Sequence, residues 1–185
     1  MIGEIRDSEV AETAIHAAQT GHLVFSTLHT NSAVGAFTRL FDLGVDYRLF
    51  ASSINVILGQ RLVRKLCQTC RQWRSAATDE QEVILNILKN HPFPPLLNEP
   101  IKICEAGGCE ACNHTGFKGR QGLFEAVVVD TKIKSILNQN PEEQTILNTA
   151  KQRKIPTLAE DAVTKILLGI TSLAEVERVV DLYQG

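Results

Sequence analysis

The sequence is poor in aromatic residues and has no excess of basic charge. Phe, Trp and Tyr make up 5% of its 185 residues, and the net charge is −2 with a pI of about 6.2. A nucleic-acid-binding domain usually carries clustered Lys and Arg, and single-stranded nucleic acid is usually held by stacking on aromatic rings. Both scarcities argue against a nucleic-acid partner.

Three sequence patterns are also absent. No apolar run approaches the roughly 18 residues of a membrane-spanning helix, and no basic segment leads into an apolar stretch as in a signal peptide. We therefore expect the chain to lie in the cytosol. The pattern G-x-x-x-x-G-K-[ST] occurs nowhere, so these 185 residues lack the loop that holds nucleotide phosphates in that class of enzyme.

The amino-terminal third alternates helical and strand-like patterns, which predicts an α/β fold with a parallel sheet. Helices are predicted over residues 9–19, 32–43 and 46–55, the second of them burying Phe37, Leu40 and Phe41. The apolar run 23–28 predicts a buried parallel strand. Residues 56–66 fit either a helix or a strand, and alternating apolar and polar residues favour the strand.

The pattern changes after residue 70. Asp79 with Glu82 predicts the capped start of a helix that ends near residue 90, and four prolines make residues 91–100 a loop. Short strands are predicted at 101–104 and 122–129. The rest is helical, with helix starts at Asn140-Pro141 and with capping-box spacings at Thr157–Glu160 and Ser172–Glu175.

The five cysteines indicate a metal site. Cys67–Cys70 and Cys109–Cys112 form two C-x-x-C pairs, and two such pairs supply the four thiolates of a tetrahedral zinc site. The pairs are separated by residues 71–108, a longer gap than in a compact zinc ribbon. Reduced thiols without metal and redox-active pairs are the alternatives. Cys104 is a fifth thiol, interpreted as a strand residue near the site.

Residues 1–7 are typical of the end of a buried strand, and charged and polar residues follow both this strand and the predicted strand 23–28. Residues 4–7 contain Glu4, Arg6 and Asp7, and the run 23–28 leads into His29 and Thr30. Since the carboxyl ends of parallel strands share one edge of a sheet, both groups should meet where ligands bind. A carboxylate there orients a water or reaches Mg²⁺, and a histidine contacts a terminal phosphate. A surface ion pair and ordinary turn histidines at 22 and 29 are the structural alternative.

Five separated segments resemble the secretion ATPase family, which drives type II secretion and type IV pilus assembly. In the family's order they are GEIRD (3–7), TGHLVFSTLHTN (20–31), QRLVRKLC (60–67), GCEACNHTGFKGR (108–120) and GITSL (169–173). The first looks like the end of the Walker B box and the second like the His box. The order and number of the segments make the resemblance specific over almost the whole chain.

The resemblance implies roles for individual residues. Glu4 matches the Walker B glutamate that helps to hold Mg²⁺ and the attacking water, and His29 matches the histidine near the terminal phosphate, so both are predicted to be catalytic. Four residues are predicted to be nucleotide-associated: Arg6, Asp7, His22 and Thr30. The family's zinc ligands correspond to Cys67, Cys70, Cys109 and Cys112. Residues 157–162 depart from the arginine and glycine that the family usually has there.

The resemblance also implies a domain organisation and an assembly. It implies a remnant of a RecA-like ATPase domain over 1–66, a tetracysteine zinc module over 67–120, and a strand and helical region over 121–185. The parent would be a homo-hexamer that binds ATP and Mg²⁺ between its subunits and docks on platform proteins at the cytoplasmic face of the inner membrane.

The family's phosphate-binding loop and Asp box precede Walker B, and this chain has neither. We therefore expect a carboxyl-terminal fragment that is inactive on its own. The alternative is a self-standing zinc-binding interaction module with no ATPase role. The residues do not distinguish a secretion system from a pilus system, and they do not assign a role to Cys104.

Overall fold

The structure is a computed structural model that describes residues 1–89, 91–97, 99–139, 142–152 and 155–183. It divides into two compact units. One comprises Met1–Gly59 and Ala126–Ile155, and the other comprises Gln60–Glu125 and Pro156–Gly185. These bounds cut across the three predicted segments, because the carboxyl-terminal segment contributes residues to both units.

The order of elements follows the sequence analysis with several differences in bounds. The helices are α1 (Ser8–Gln19), α2 (Gly35–Asp42), α3 (Tyr47–Ser53), α4 (Thr78–Leu88), α5 (Thr131–Leu137), α6 (Glu143–Lys151), α7 (Leu158–Leu167) and α8 (Leu173–Glu177). The strands are β1 (Val56–Leu66), β2 (Gln72–Ser75), β3 (Lys102–Glu105) and β4 (Phe117–Val128), and a 3₁₀ turn spans Glu110–Cys112. The predicted helix start at Asn140-Pro141 lies outside the described residues.

Two small sheets are formed by these strands. β1 pairs with β4, which decides the ambiguous segment 56–66 in favour of a strand. β2 pairs antiparallel with β3 and places Trp73 opposite Cys104. β2 was not predicted, because its four residues are too few to show a period. β4 begins five residues before the predicted strand.

The first unit has a core of aromatic and aliphatic side chains. Its largest fully buried members are Phe37, Phe50, Ile133, Leu137 and Ile146. Helix α1 begins one residue before the predicted helix, and Oδ1 of Asp7 caps it by accepting a hydrogen bond from the Val10 amide at 2.9 Å. It ends at Thr20, and Gly21 follows with a φ of +92°, a conformation that costs glycine little.

The prediction of a buried strand over 23–28 is wrong in two respects. The segment is extended but forms no regular strand, and the side chains of Leu23 and Phe25 are 75% and 64% exposed. Of these six residues, Leu28 packs against the core of the first unit. The segment nevertheless lies beside residues 2–5 and runs in the same direction, because the Ile2 and Ile5 amides donate to the carbonyls of Phe25 and Thr27. A parallel strand is buried on both faces only when a layer covers each face, and within the described residues one face is covered.

Helix α2 is shorter than predicted and buries fewer side chains. It begins at Gly35, and Phe37 and Leu40 are buried as expected, whereas Phe41 is 45% exposed. The prediction that Phe41 is buried is therefore wrong. Its ring stacks on Tyr47 with centroids 4.6 Å apart, so the apolar surface of Phe41 is covered on one side only.

The second unit has its own aliphatic core. Its largest fully buried side chains are Val63, Ile84, Ile103, Leu123, Val163 and Ile166. The capping box at Thr157 and Glu160 is confirmed, with the Thr157 amide donating to Glu160 at 2.7 Å and the Glu160 amide donating to Thr157 Oγ1 at 3.3 Å. This box fixes the start of α7.

The other two predicted helix starts differ from the structure. Helix α4 begins at Thr78, so Glu80 rather than Glu82 occupies its third position and accepts the Ala77 amide at 2.7 Å. At the start of α8, the Glu175 amide donates to Ser172 Oγ as predicted. The Glu175 carboxylate instead binds Arg64, so the Ser172–Glu175 capping box is only half formed.

Candidate functional sites

The first candidate site is centred on the carboxylate of Glu4. Its Oε1 lies 2.9 Å from Nε2 of His29, and its Oε2 accepts a hydrogen bond from Nε of Arg6 at 2.6 Å. The Glu4 side chain is 19% exposed, whereas those of Arg6 and His29 are 78% and 88% exposed. One partly buried carboxylate therefore joins two solvent-facing nitrogen groups.

The backbone explains why these residues meet. Residues 2–5 lie beside residues 25–27 and run in the same direction, so Glu4 and His29 reach one end of the pair of segments. Thr27 Oγ1 donates to the Gly3 carbonyl at 2.8 Å and adds a further link. The contact between the two predicted clusters depends on this parallel arrangement and not on the burial that the sequence suggested.

The other three predicted nucleotide-associated residues are engaged locally. Asp7 caps α1. Nδ1 of His22 lies 3.1 Å from Thr20 Oγ1, and Thr30 Oγ1 donates to the Ser32 carbonyl at 2.9 Å. The cluster that the structure assembles around Glu4 thus contains Arg6 and His29.

One neighbouring residue has no signal in the sequence. Glu143, at the start of α6, directs its two carboxylate oxygens to Ser32 Oγ at 3.5 Å and Thr38 Oγ1 at 3.3 Å. Ser32 Oγ also accepts the Gly35 amide, so Glu143 supports the loop that follows His29. More than 100 residues separate the partners in the chain, so no local motif predicts this contact.

The second candidate site is a cluster of four cysteine sulfurs. Sγ of Cys67 lies 3.9 Å from Sγ of Cys109, and Sγ of Cys112 lies 3.8 Å from that of Cys70 and 3.7 Å from that of Cys109. All four sulfurs lie within 4.8 Å of one another, and none forms a disulfide. Zinc bonded to four thiolates at about 2.3 Å needs sulfurs about 3.8 Å apart, so the donor set fits this ion.

Each cysteine pair forms a tight turn. The amides of Cys70 and Arg71 donate to the Cys67 carbonyl, and those of Cys112 and His114 donate to the Cys109 carbonyl. The turns begin at the end of β1 and in the 3₁₀ segment, respectively. Each turn therefore presents its two thiols on the same side.

Two glycines allow the turns to approach each other. A side chain on Gly107 would place Cβ 2.1 Å from the Cys70 carbonyl oxygen, and one on Gly116 would place Cβ 2.5 Å from the Gly107 oxygen. Gly116 also has a φ of +76°, donates its amide to Cys112 Sγ at 3.2 Å and accepts the Cys67 amide. The close packing of the turns thus requires residues without a side chain.

The thiols occupy different electrostatic environments. Backbone hydrogen bonds from Cys109 and Gly116 lower the pKa of Cys112 to about 6, and a backbone hydrogen bond from Thr69 lowers the pKa of Cys67. Burial raises the pKa of Cys70 to about 12. Amide hydrogen bonds to sulfur favour the thiolate, the form that binds metals.

The fifth cysteine is separate from this cluster. Cys104 is fully buried on β3, opposite Trp73, and burial raises the pKa of its thiol. Among the described residues, the group able to hold a metal contains only the four cysteines of the two C-x-x-C pairs. Cys104 is therefore a core residue of the second unit.

Comparison with known proteins decides the family. The family model described as type II/IV secretion system protein matches residues 1–178. The chain belongs to this family. The resemblance that the sequence motifs indicated is thus confirmed.

Curated relatives come from both branches of the family. The type II secretion system ATPase E of Vibrio cholerae is 41% identical over 179 residues, which is 97% of this chain and 34% of that protein. The type IV pilus assembly ATPase PilB of Pseudomonas aeruginosa is also 41% identical over 179 residues, covering 97% and 30%. The chain spans about a third of the length of these relatives. Because its identity to both is 41%, the comparison does not distinguish a secretion system from a pilus system.

Solved structures support the fold. The pilus retraction motor PilT with bound ADP superposes with a TM-score of 0.61 at 21% identity, over 96% of this chain and 38% of PilT. The ATPase DotB of Legionella pneumophila gives 0.59 at 20% identity, over 96% and 37%. This chain therefore has the α/β fold of a part of these two proteins and spans somewhat more than a third of each. None of the described helices has the length and apolarity required to cross a bilayer.

Proposed function

We propose that this chain is the carboxyl-terminal part of an ATPase that powers type II secretion or type IV pilus assembly. The observation that carries the proposal is the contact of Glu4 with His29 and Arg6, in a chain of the type II/IV secretion system family. In the parent protein, ATP and Mg²⁺ would bind near this cluster.

The residues of the cluster have distinct roles in this proposal. Glu4 orients the attacking water and accepts its proton, because its carboxylate is the partly buried base of the group. His29 holds the other face of that carboxylate and contacts the terminal phosphate. Arg6 supports Glu4 from its second oxygen, while Asp7, His22 and Thr30 shape the surrounding loops.

The assembly and location are proposed on the same basis. The parent would form a homo-hexamer with ATP between subunits, at the cytoplasmic face of the inner membrane, bound to platform proteins of the secretion or pilus apparatus. The supporting observation is the family relationship over 178 residues. In this proposal, the parent supplies the phosphate-binding loop from outside these 185 residues, which contain no G-x-x-x-x-G-K-[ST] pattern.

A chimeric protein tests the catalytic proposal. Residues 1–178 replace the matching segment of the Vibrio cholerae ATPase E, and ATP turnover is compared for the chimera and its Glu4→Gln variant. We expect Glu4→Gln to retain ATP and to lose turnover by roughly 10²-fold or more, the usual scale for a positioned base. The control is Glu9→Gln, an exposed change on α1. Unchanged turnover with Gln at position 4 would reject this role.

We further propose that the four cysteines hold one structural zinc ion, because their sulfurs have the required spacing. With four protein ligands, the ion would cross-link the two turns and would have no open coordination position for catalysis. The complete donor set also favours a second candidate function, a zinc-binding interaction module without ATPase activity. Turnover in the chimera that depends on Glu4 would exclude that alternative.

A further inference from the structure

The turn between α7 and α8 covers one edge of β1 beside the first cysteine pair. The Leu66 amide donates to the Ile170 carbonyl at 2.8 Å, and Thr171 Oγ1 donates to the Arg64 carbonyl at 2.9 Å. The Arg64 amide donates to Oε1 of Glu175 at 3.1 Å. Since β1 pairs with β4 on its other edge, these bonds satisfy main-chain groups that the two-stranded sheet leaves open.

The same turn also binds the chain on the far side of the cysteine pair. Nη1 of Arg71, the residue directly after Cys70, donates to the Gly169 carbonyl at 2.6 Å. Hydrogen bonds from residues 169–175 therefore flank the Cys67–Cys70 turn on both sides. This segment, which contains the GITSL motif, is called the support turn below.

The support turn is buried and closely packed. Gly169 has a φ of +64°, and a Cβ there would lie 2.9 Å from both Cys104 Sγ and the Trp73 ring, so it packs directly on the β2–β3 pair. Thr171 is fully buried, and Glu175 is 5% exposed. A buried, well-packed turn holds its hydrogen-bonding groups in fixed positions.

Side-chain contacts extend the same link. Nη2 of Arg64 binds Oε2 of Glu175 at 2.5 Å, and the Arg64 guanidinium lies 4.1 Å from the centre of the Phe117 ring. Arg178 adds a second partner to Oε2 of Glu175 at 3.0 Å. The end of β1 is thus bound to the support turn through main chain and side chain, three residues before the first cysteine.

We propose that the support turn positions the first cysteine pair and thereby sets the zinc affinity of the four-cysteine cluster. The inference rests on the proposed zinc site. Two sulfurs come from each of two segments separated by residues 71–108, so a preformed site requires each pair to be held independently. Groups that orient metal ligands from outside the coordination sphere commonly change affinity by about 10- to 100-fold. By linkage, zinc in turn stabilises the support turn.

Replacing Thr171 tests the proposal. Thr171→Val removes the bond to the Arg64 carbonyl with little change in volume, and Thr164→Val is the matched control, because Thr164 bonds to Glu160 on the same helix and lies outside the support turn. Zinc affinity is measured by competition with a chromogenic chelator, and thermal unfolding is recorded for both variants. We expect roughly 10-fold weaker zinc binding for Thr171→Val and unchanged affinity for Thr164→Val.

A second pair of variants keeps the proposal testable if Thr171→Val does not fold. Arg71→Met removes the bond to Gly169, whereas the control Arg74→Met removes contacts with Glu80 and Glu105. Zinc binding that is weaker in Arg71→Met and unchanged in Arg74→Met supports the proposal. Equal zinc affinity in all folded variants would overturn it while leaving the zinc site intact. A wild-type chain that binds no zinc would overturn both.

Hydrogen exchange measures the coupling from the other direction. Removing zinc with a chelator should speed exchange of the Arg64 and Leu66 amides, which donate to the support turn. The Val129 amide, which donates to Asn55 in the other unit, should keep its rate. Unchanged exchange at Arg64 and Leu66 on zinc removal would contradict the coupling.

Discussion

Nε2 of His29 lies 2.9 Å from Oε1 of Glu4. The two residues are brought together by extended segments that run side by side in the same direction. A contact made by a solvent-facing side chain contributes little to folding stability, commonly below about 1 kcal/mol. The contact is therefore better explained by its effect on orientation, because His29 and Arg6 together hold the Glu4 carboxylate in one position.

The 185-residue chain should not hydrolyse ATP. The β- and γ-phosphates need a nest of backbone N–H groups and a lysine, and no G-x-x-x-x-G-K-[ST] pattern is present. Phosphate release is measured on purified chain, with a Glu4→Gln preparation as the control for contaminating ATPases. Turnover that the wild type shows and the Glu4→Gln chain lacks would contradict this prediction.

His29→Ala should lower turnover in the chimera with the Vibrio cholerae ATPase E. The change removes the contact that orients Oε1 of the proposed base, Glu4, so we expect a loss of roughly 10²-fold, the low end of what a positioned base contributes. His16→Ala is the matched control, because His16 is an exposed histidine on α1 outside the Glu4 cluster. Equal turnover in both variants would indicate that the Glu4–His29 pair is an ordinary surface contact.

The purified chain should contain one zinc ion. Cys109→Ser should lower the zinc content and destabilise the chain, because it removes one of four converging thiolates. Cys104→Ser should leave the zinc content unchanged, since Cys104 lies in the core opposite Trp73. Metal analysis by mass spectrometry checks both. A folded, metal-free wild type would reject the site, and equal zinc loss on replacing Cys104 would reject this choice of ligands.

The sequence predicts which side chains come together better than it predicts burial. The C-x-x-C spacing shows which thiols belong together, and the parallel arrangement of two segments follows from the helix between them. By contrast, their apolar character predicts that Phe25 and Phe41 are buried, yet they are 64% and 45% exposed. Hydrophobicity records what a side chain prefers, and only the tertiary structure determines whether another layer covers it.

The sequence also does not predict contacts between residues that are far apart in the chain. Glu175 has the spacing of a capping box, but its carboxylate binds Arg64, 111 positions away. Glu143 likewise reaches Ser32 and Thr38 from another helix. At Glu175 the local motif offers one hydrogen-bond partner, and packing brings the Arg64 side chain, which binds the same carboxylate instead. At Glu143 no local motif indicates either partner.

Gly107→Ala should disrupt the cysteine cluster. The added Cβ would lie 2.1 Å from the Cys70 carbonyl oxygen, so the two turns would have to separate. We expect zinc affinity to fall at least about 10-fold and unfolding to require roughly 1–3 kcal/mol less. Gly3→Ala, where no atom lies within 4 Å of the new Cβ, is the control. Similar zinc affinity in both variants would show that the turns tolerate separation.

Glu175 should contribute stability that depends on pH. The hydrogen bond from the Arg64 side chain, together with the Arg64 amide and Arg178, holds the pKa of this buried carboxyl below its ordinary value of 4.5. Because the folded-state pKa is the lower one, the contribution is complete above the unfolded-state pKa and disappears as pH falls through the folded-state pKa. Glu175→Gln should therefore lower the free energy of unfolding at pH 7 by roughly 1–3 kcal/mol, and the difference from wild type should shrink in acid. Denaturant unfolding across this range checks the prediction, with the exposed Glu177→Gln as the control. If the difference in free energy of unfolding stays constant with pH, the contact with Arg64 does not depend on the ionised form of the Glu175 carboxyl.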